Sequence, residues 1–347
     1  MDETTAQRKS VRDVPEREDV AVSAGREESR GRRAESPEEV PPKGWLDVLW
    51  RTYRQVGRNN LSIIAAGVAY YLFLAVVPAL VVGIAIFALV ADVNTVSRHL
   101  DELNRVVPPE VMPLLKDQLT RIVKNNTAAG ISAIIALVLA CYSSANATKA
   151  MIKGMNVAYD EQEKRSFVKF NAVAIALTIG EIFGALIALG LMTLVPLGLR
   201  QVGLNQPWVT GLRWPLLLIF STVGVGLLYR WGPSRDAAKW RWLSGGAALA
   251  GLLWVVGSGL FSYYVGKFGS YEKTYGSLGA VIVFLIWLYL SAYSILIGAG
   301  LNAELERQTI KDTTEGPPKP LGQRGAFAAD TVGESRDAAK AHPATSD

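Results

Sequence analysis

The chain has 347 residues, 50% of them hydrophobic and 19% charged, with a net charge of +5. These averages conceal a segregated pattern, because the first 43 and the last 40 residues are polar and nearly all apolar content lies between them, which argues against two water-soluble domains. One cysteine, Cys141, leaves no internal disulfide, and two histidines, His99 and His342, with no HxxxH, HExxH or CxxC spacing, argue against a metal centre built on His or Cys.

Residues 1–43 are low in hydrophobicity and balanced in charge, so they bury too little apolar surface to offset ordering and read as a disordered tail closed by Pro41-Pro42. They contain no apolar h-region, and the first span is expected to act as the insertion signal. In Gly44–Asn60, Trp45, Leu46, Val48, Leu49, Tyr53 and Val56 recur near helical spacing with Arg51, Arg54 and Arg58 between them. That predicts a basic amphipathic helix, resting either on the membrane surface or on the protein's own loops.

Six apolar runs follow: Leu61–Val90, Ala128–Ala147, Ala172–Leu199, Trp214–Tyr229, Leu243–Val265 and Ser277–Ala303. A helix of about 20 residues, rising about 1.5 Å each, crosses a hydrocarbon core of about 30 Å. Five of the runs reach that length, and Trp214–Tyr229 needs its two end aromatics at the interfaces. The pattern predicts an all-α polytopic membrane protein with six transmembrane helices. A membrane domain over 44–307 would be flanked by disordered tails at 1–43 and 308–347. The first run would be about 45 Å long as a straight helix and must tilt, bend or protrude. Pro78 removes a backbone donor near its middle and predicts a kink there. Asp92–Thr127 holds two amphipathic stretches on either side of Pro108-Pro109, which predict two short surface helices on the outer face.

Basic residues set the orientation. Lys43, Arg51, Arg54 and Arg58 precede the first run, Lys149, Lys153, Lys164, Arg165 and Lys169 follow the second, and Arg230, Arg235, Lys239 and Arg241 follow the fourth. The opposite side is poorer or balanced by acids. Both termini are therefore expected in the cytoplasm of an inner-membrane protein.

Glu181 is the one ionisable residue deep within a run. Inserting a central carboxylate costs at least about 2.5 kcal/mol, and no Lys or Arg lies at comparable depth to pair with it. Two readings stay open: a carboxyl working in a wet cavity, or an interhelical hydrogen bond. Gly180 and Gly184 form a GxxxG pair around it, and Ser294 and Gly298 repeat the spacing, both predicting close helix packing. Tyr70, Tyr71 and Pro78 mark a second candidate pathway region, since proline frees a carbonyl that must find a partner or line a cavity. Lys149 and Lys153 share a helix face and, with Arg165, form a cluster that either suits anionic lipid headgroups or phosphorylated solutes or reflects the ordinary basic bias of cytoplasmic connectors.

Several blocks resemble the YihY/virulence factor BrkB family of bacterial inner-membrane proteins. Ala65-Ala66-Gly67-Val68-Ala69-Tyr70-Tyr71 through Pro78 looks like its first-span block, and Asn156 to Tyr159, with Arg165 and Phe167, like its second. Tyr275-Gly276-Ser277-Leu278-Gly279-Ala280, Trp287-Leu288-Tyr289, and Gly298 through Asn302 to Glu304 look like its third. The resemblance implies six spans with cytoplasmic termini. It implies no catalytic residue and no cofactor. The family once carried the label ribonuclease BN, now regarded as mistaken. Zinc ribonucleases need several His and Asp ligands, and this chain has two histidines.

No nucleophile–base pair, phosphate loop or metal-ligand set is visible, so enzyme chemistry and nucleic-acid binding are not expected. Membrane lipids, a second copy of the chain or an envelope protein are the expected partners. Transport or export of a lipid or other envelope component is the leading expectation, with an envelope-integrity scaffold as the alternative. Without an ATP-binding loop, any transport would run on a gradient, a partner or downhill flow.

Overall fold

The computed structural model describes residues 28–90, 126–201, 213–268 and 277–341. Residues 1–27, the surface helices expected beside Pro108-Pro109, both histidines, and Tyr275 and Gly276 lie outside the described residues. Helix α1 is Pro42–Arg58, with proline at its first position, where the missing N–H has no helical partner to lose. Six long helices follow: α2 (Leu61–Val90), α3 (Asn126–Ala158), α4 (Phe167–Gln201), α5 (Arg213–Trp231), α6 (Trp240–Phe268) and α7 (Ser277–Glu306). Two short helices, α8 (Phe327–Asp330) and α9 (Arg336–Ala341), end the described chain. Among the described residues the one β feature is an isolated bridge between Ala238 and Thr314.

The long helices form a closed ring in chain order. Each packs on its chain neighbours, α7 returns to α2, and α7 also touches α3 and α1. One end of each long helix gathers at one end of the ring. There Gln55 Nε2 donates to Ala158 O (2.9 Å), Ser234 N donates to Asn156 Oδ1 (2.8 Å), and Arg235 meets Glu306. The ordered apolar core sits at this same end, around Leu61, Ile152, Met155, Tyr159, Tyr229, Leu243 and Leu296.

Above this end the outward faces are apolar. Ile175, Ile179, Ile182 and Phe183 on α4, Ile219 and Val223 on α5, and Leu252, Val255 and Val256 on α6 are all exposed. Patches this large belong in lipid, where closed helices satisfy their own backbone groups. Three helical segments, Phe167–Ala188, Trp240–Lys267 and Val281–Glu306, are long and apolar enough to cross a membrane among the described residues. Counting the bent pair α1–α2 as one span makes four.

Helix α2 is continuous through Pro78, and a bend of 64° lies between α1 and the Leu61–Val76 part of α2. Asn60 turns that corner with φ +49°, a left-handed conformation that asparagine tolerates better than most residues. Residues 28–41 and 308–341, which composition reads as disordered, make specific contacts in the structure. Ile310 N donates to Arg32 O (2.8 Å), Thr309 Oγ1 to Ala34 O (2.7 Å), and Gln308 Nε2 to Arg30 O (2.8 Å). Arg324 donates to the carbonyls of Ile310 (2.6 Å), Lys311 (3.0 Å) and Ala329 (2.6 Å), drawing the C-terminal segment into a knot. These segments have no apolar core of their own. They order on the polar helix ends through charge-assisted hydrogen bonds, which a count of hydrophobic residues does not register.

Candidate functional site

Glu181 stands on α4 at the junction of packed and open structure. Ala174, Thr178, Glu181 and Ala185 follow at steps of four, three and four, so they share one stripe of the helix. The lower two are buried and the upper two are exposed. The facing stripe of α3 changes in the same way: Thr148 and Ala145 are buried, and Cys141 and Val138 above them are exposed. The α3–α4 seam is therefore buried toward the gathered end, and its facing residues become exposed above Thr148 and Thr178. Glu181 is the first exposed position of the α4 stripe, about 21 Å along the helix from Phe167.

Thr148 Oγ1 donates to Glu181 Oε2 (3.0 Å), and Thr178 Oγ1 donates to Thr148 Oγ1 (2.8 Å). Each threonine hydroxyl also reaches a carbonyl of its own helix, Ser144 O at 3.2 Å and Ala174 O at 2.8 Å. A hydroxyl has one proton and two lone pairs, so the row can redistribute its hydrogen bonds when a ligand engages Glu181. Of the two readings of this carboxyl, the interhelical hydrogen bond is present, and the outward half of the side chain is left open. The threonines were not singled out in the sequence because a hydroxyl inside a span carries no signal until its partner helix is known.

The other expected site residues fall elsewhere. Tyr70 and Tyr71 are exposed and meet edge to face, 5.7 Å between ring centroids. Tyr70 lies opposite the buried stripe of α2 formed by Leu61, Ala65 and Val68, so it points away from the core, and no hydrogen bond joins either tyrosine to Glu181 among the described residues. Lys149 is half-buried and Lys153 exposed on α3. Arg165 is committed to structure: it pairs with Glu163 (2.7 Å), donates to Gly232 O (2.9 Å) and lies over the Phe170 ring.

The Gly180–Gly184 pair makes no close approach. A Cβ at Gly180 would meet nothing within 4 Å, and one at Gly184 would meet only the Phe220 ring, at 3.9 Å. The tight crossing is instead Gly246 on α6 against Gly298 on α7, where a methyl on either would collide with the facing carbonyl. Asn302 ties the same crossing, accepting from Gly246 N (2.7 Å) and donating to Leu243 O (3.2 Å), and Tyr229 Oη donates to Ile295 O (2.6 Å) beside it. Farther along α7, Trp287 stacks on Phe284 and donates to Ser258 (3.2 Å).

The remaining block residues build an ionic cap at the gathered end. Glu304 receives buried Arg51 (2.6 Å) and Arg307 (2.9 Å). Glu306, a residue the sequence reading passed over, holds Arg235 in two parallel bonds of 2.8 and 2.6 Å, and Thr313 adds a third at 2.7 Å. Arg235 covers the Tyr159 ring at 5.0 Å. Burial lowers the Arg235 pKa, but Glu306 outweighs it and the net direction is upward, so the arginine stays charged. Burial pushes the Tyr159 hydroxyl well above its ordinary range. Asn156 bridges Ser234 N and Glu163. Burial raises the Glu163 carboxyl, yet hydrogen bonds from Arg165 and Asn156 prevail and hold it at about 2. Among the described residues no three His, Cys, Asp or Glu side chains converge to hold a metal ion.

A sequence profile described as Virulence factor BrkB matches residues 52–321, which spans the ring, its cap and the first part of the C-terminal segment. The chain belongs to the BrkB family. It is similar to the ribonuclease-like protein YfkH of Bacillus subtilis, 30% identical over 255 residues, covering 70% of this chain and 90% of that one. It is also similar to a UPF0761 membrane protein of Pseudoalteromonas translucida, 26% identical over 281 residues, covering 79% of this chain and 89% of the relative. A UPF0761 membrane protein of Haemophilus influenzae is 23% identical over 265 residues, 75% of this chain and 94% of the relative. No solved structure matches. The two UPF0761 relatives of this BrkB-family chain are named as membrane proteins, in keeping with its apolar outer faces.

Proposed function

We propose that this BrkB-family chain moves an amphiphile, a lipid or another envelope component, along the α3–α4 seam. The carrying observation is the stripe of α4 that passes from buried to exposed at Glu181. It leaves a carboxyl beside exposed positions, Val138 and Tyr142 on α3 and Ala185 on α4, that are apolar or aromatic. A mostly apolar seam with one polar group suits a molecule having a polar head and a greasy body. A polar head at Glu181 would also relieve the cost of a carboxyl at that depth.

The reading places the chain in the inner membrane with six spans and both termini in the cytoplasm. Support comes from the contacts between residues 30–34 and 308–310, which join the flanks of the first and last helices, as an even number of crossings would allow. The basic connectors at that end favour the cytoplasm.

The test is lipid movement in vesicles containing the purified protein. The intact chain should accelerate transfer of a labelled phospholipid with an ammonium headgroup, such as phosphatidylethanolamine, between leaflets, and Glu181→Gln should slow it at least tenfold with unchanged thermal stability. Full transfer by the Gln variant would remove Glu181 from the mechanism, and no transfer by the intact chain would remove transport. The alternative, a scaffold that moves nothing, draws support from the extensive cap. Inert protein that co-purifies with one stoichiometric envelope partner would favour it.

A further inference from the structure

The outer face of α1 reverses the arrangement expected of an amphipathic helix packed on its own protein. Its polar residues Asp47, Arg51, Thr52 and Gln55 are buried. Leu46, Leu49 and Tyr53 are 55%, 49% and 81% exposed. At about 100° per residue these three and Trp50 occupy one arc, with Lys43, Arg54 and Arg58 along one edge of it. An apolar arc edged with cations is the form of a helix seated at a bilayer surface.

Behind the basic edge lies a pocket of about 170 Å³ lined by Trp50, Arg54, Arg58 and Arg307, with Arg51, Glu304 and Glu334 completing the wall. Four guanidinium groups face two carboxylates. Both Glu304 oxygens are taken by Arg51 and Arg307. Arg54 lies over the Trp50 ring at 4.9 Å and makes no hydrogen bond or ion pair among the described residues. Arg58 has one long contact, 3.8 Å to Asp160. Arg307 Nε is buried and has no acceptor. An orphaned guanidinium donor beside two arginines with spare donors suits an anion with several acceptor oxygens.

We propose that this pocket binds a phosphate group, supplied by an anionic phospholipid of the adjacent leaflet whose acyl chains lie along Leu46, Leu49 and Tyr53. Trp50 holds Arg54 in place, and Arg51, fixed from behind by Glu304 and Gln308, supplies positive potential without competing for the ligand. The site is at the capped end and independent of whether the Glu181 seam carries anything.

Native mass spectrometry of the full chain, released from neutral detergent with phosphatidylglycerol or phosphatidylcholine added, tests it. The intact chain should retain phosphatidylglycerol selectively. Because each surface arginine near an anionic headgroup contributes about 1 kcal/mol, the Arg54→Gln/Arg58→Gln pair should weaken retention about 10- to 30-fold. Arg241→Gln, exposed elsewhere on the same end, should not. Inorganic phosphate that binds the intact chain and not the pair variant, with no lipid retained, would keep the phosphate chemistry and assign it to a soluble source. Equal phosphatidylglycerol retention by the intact chain and a folded pair variant would overturn the site.

Discussion

Replacing Arg235 by Met isolates the most buried ion pair of the cap. Arg235 and Glu306 have 2% and 0% of their side chains exposed and are joined by bonds of 2.8 and 2.6 Å. Methionine fills much of the same volume but leaves the Glu306 carboxylate buried with Thr313 as its remaining donor. Breaking one side of a buried pair costs about 3–5 kcal/mol, and losing the cation over Tyr159 adds about 1 kcal/mol. Against a typical stability of about 5–15 kcal/mol, that loss should open the cap. Arg235→Met/Glu306→Leu removes both charges, so its cost should fall several kcal/mol short of the sum of the single variants, leaving about 1 kcal/mol for the stranded Thr313 hydroxyl. Denaturant unfolding in detergent, followed by tryptophan fluorescence, reads this directly because buried Trp242 lies in the cap. If Arg235→Met alone costs under 1 kcal/mol, or the two substitutions simply add, the pair is not coupled as described.

Gly298→Val should cost about 2 kcal/mol or more by forcing α6 from α7, whereas Gly180→Ala should be neutral or mildly stabilising, because a methyl there meets open space; thermal melts of the two variants rank them. The Glu163 carboxyl, held at about 2, should stabilise the 159–167 connector above about pH 4.5 and lose that contribution as pH falls toward 2. Hydrogen exchange of the connector at graded pH measures the change, and in Glu163→Gln that pH dependence should disappear.

Much of the helical framework was legible in the primary structure because its cause is local. A run of apolar residues specifies a helix without reference to distant chain, and each of the six runs from Leu61 to Ala303 lies largely or wholly within one long helix. Glu181 stood out for the same reason, as a lone carboxyl among greasy neighbours. What it touches did not, because Thr148 lies 33 residues away on another helix.

Glycine spacing was a guide in one helix and not in another: the Ser294–Gly298 pair lies at the tight crossing of α6 and α7. The Gly180–Gly184 pair faces open space, while Gly246 and Gly298 meet because Asn302 and Tyr229 hold α6, α5 and α7 in register. Composition misread the polar flanks most. Arg51 and Glu304 are 253 residues apart, and Gln308 and Arg30 are 278 apart. A window along the chain shows each as a soluble charge or amide. Local chemistry thus determined which residues became helix, while runs apolar on every side did not by themselves select an outward face. Only the tertiary structure decided which charges were buried, where the α3–α4 seam became exposed and that the flanks would fold, since ionic complementarity exists only once the ring brings remote helix ends together.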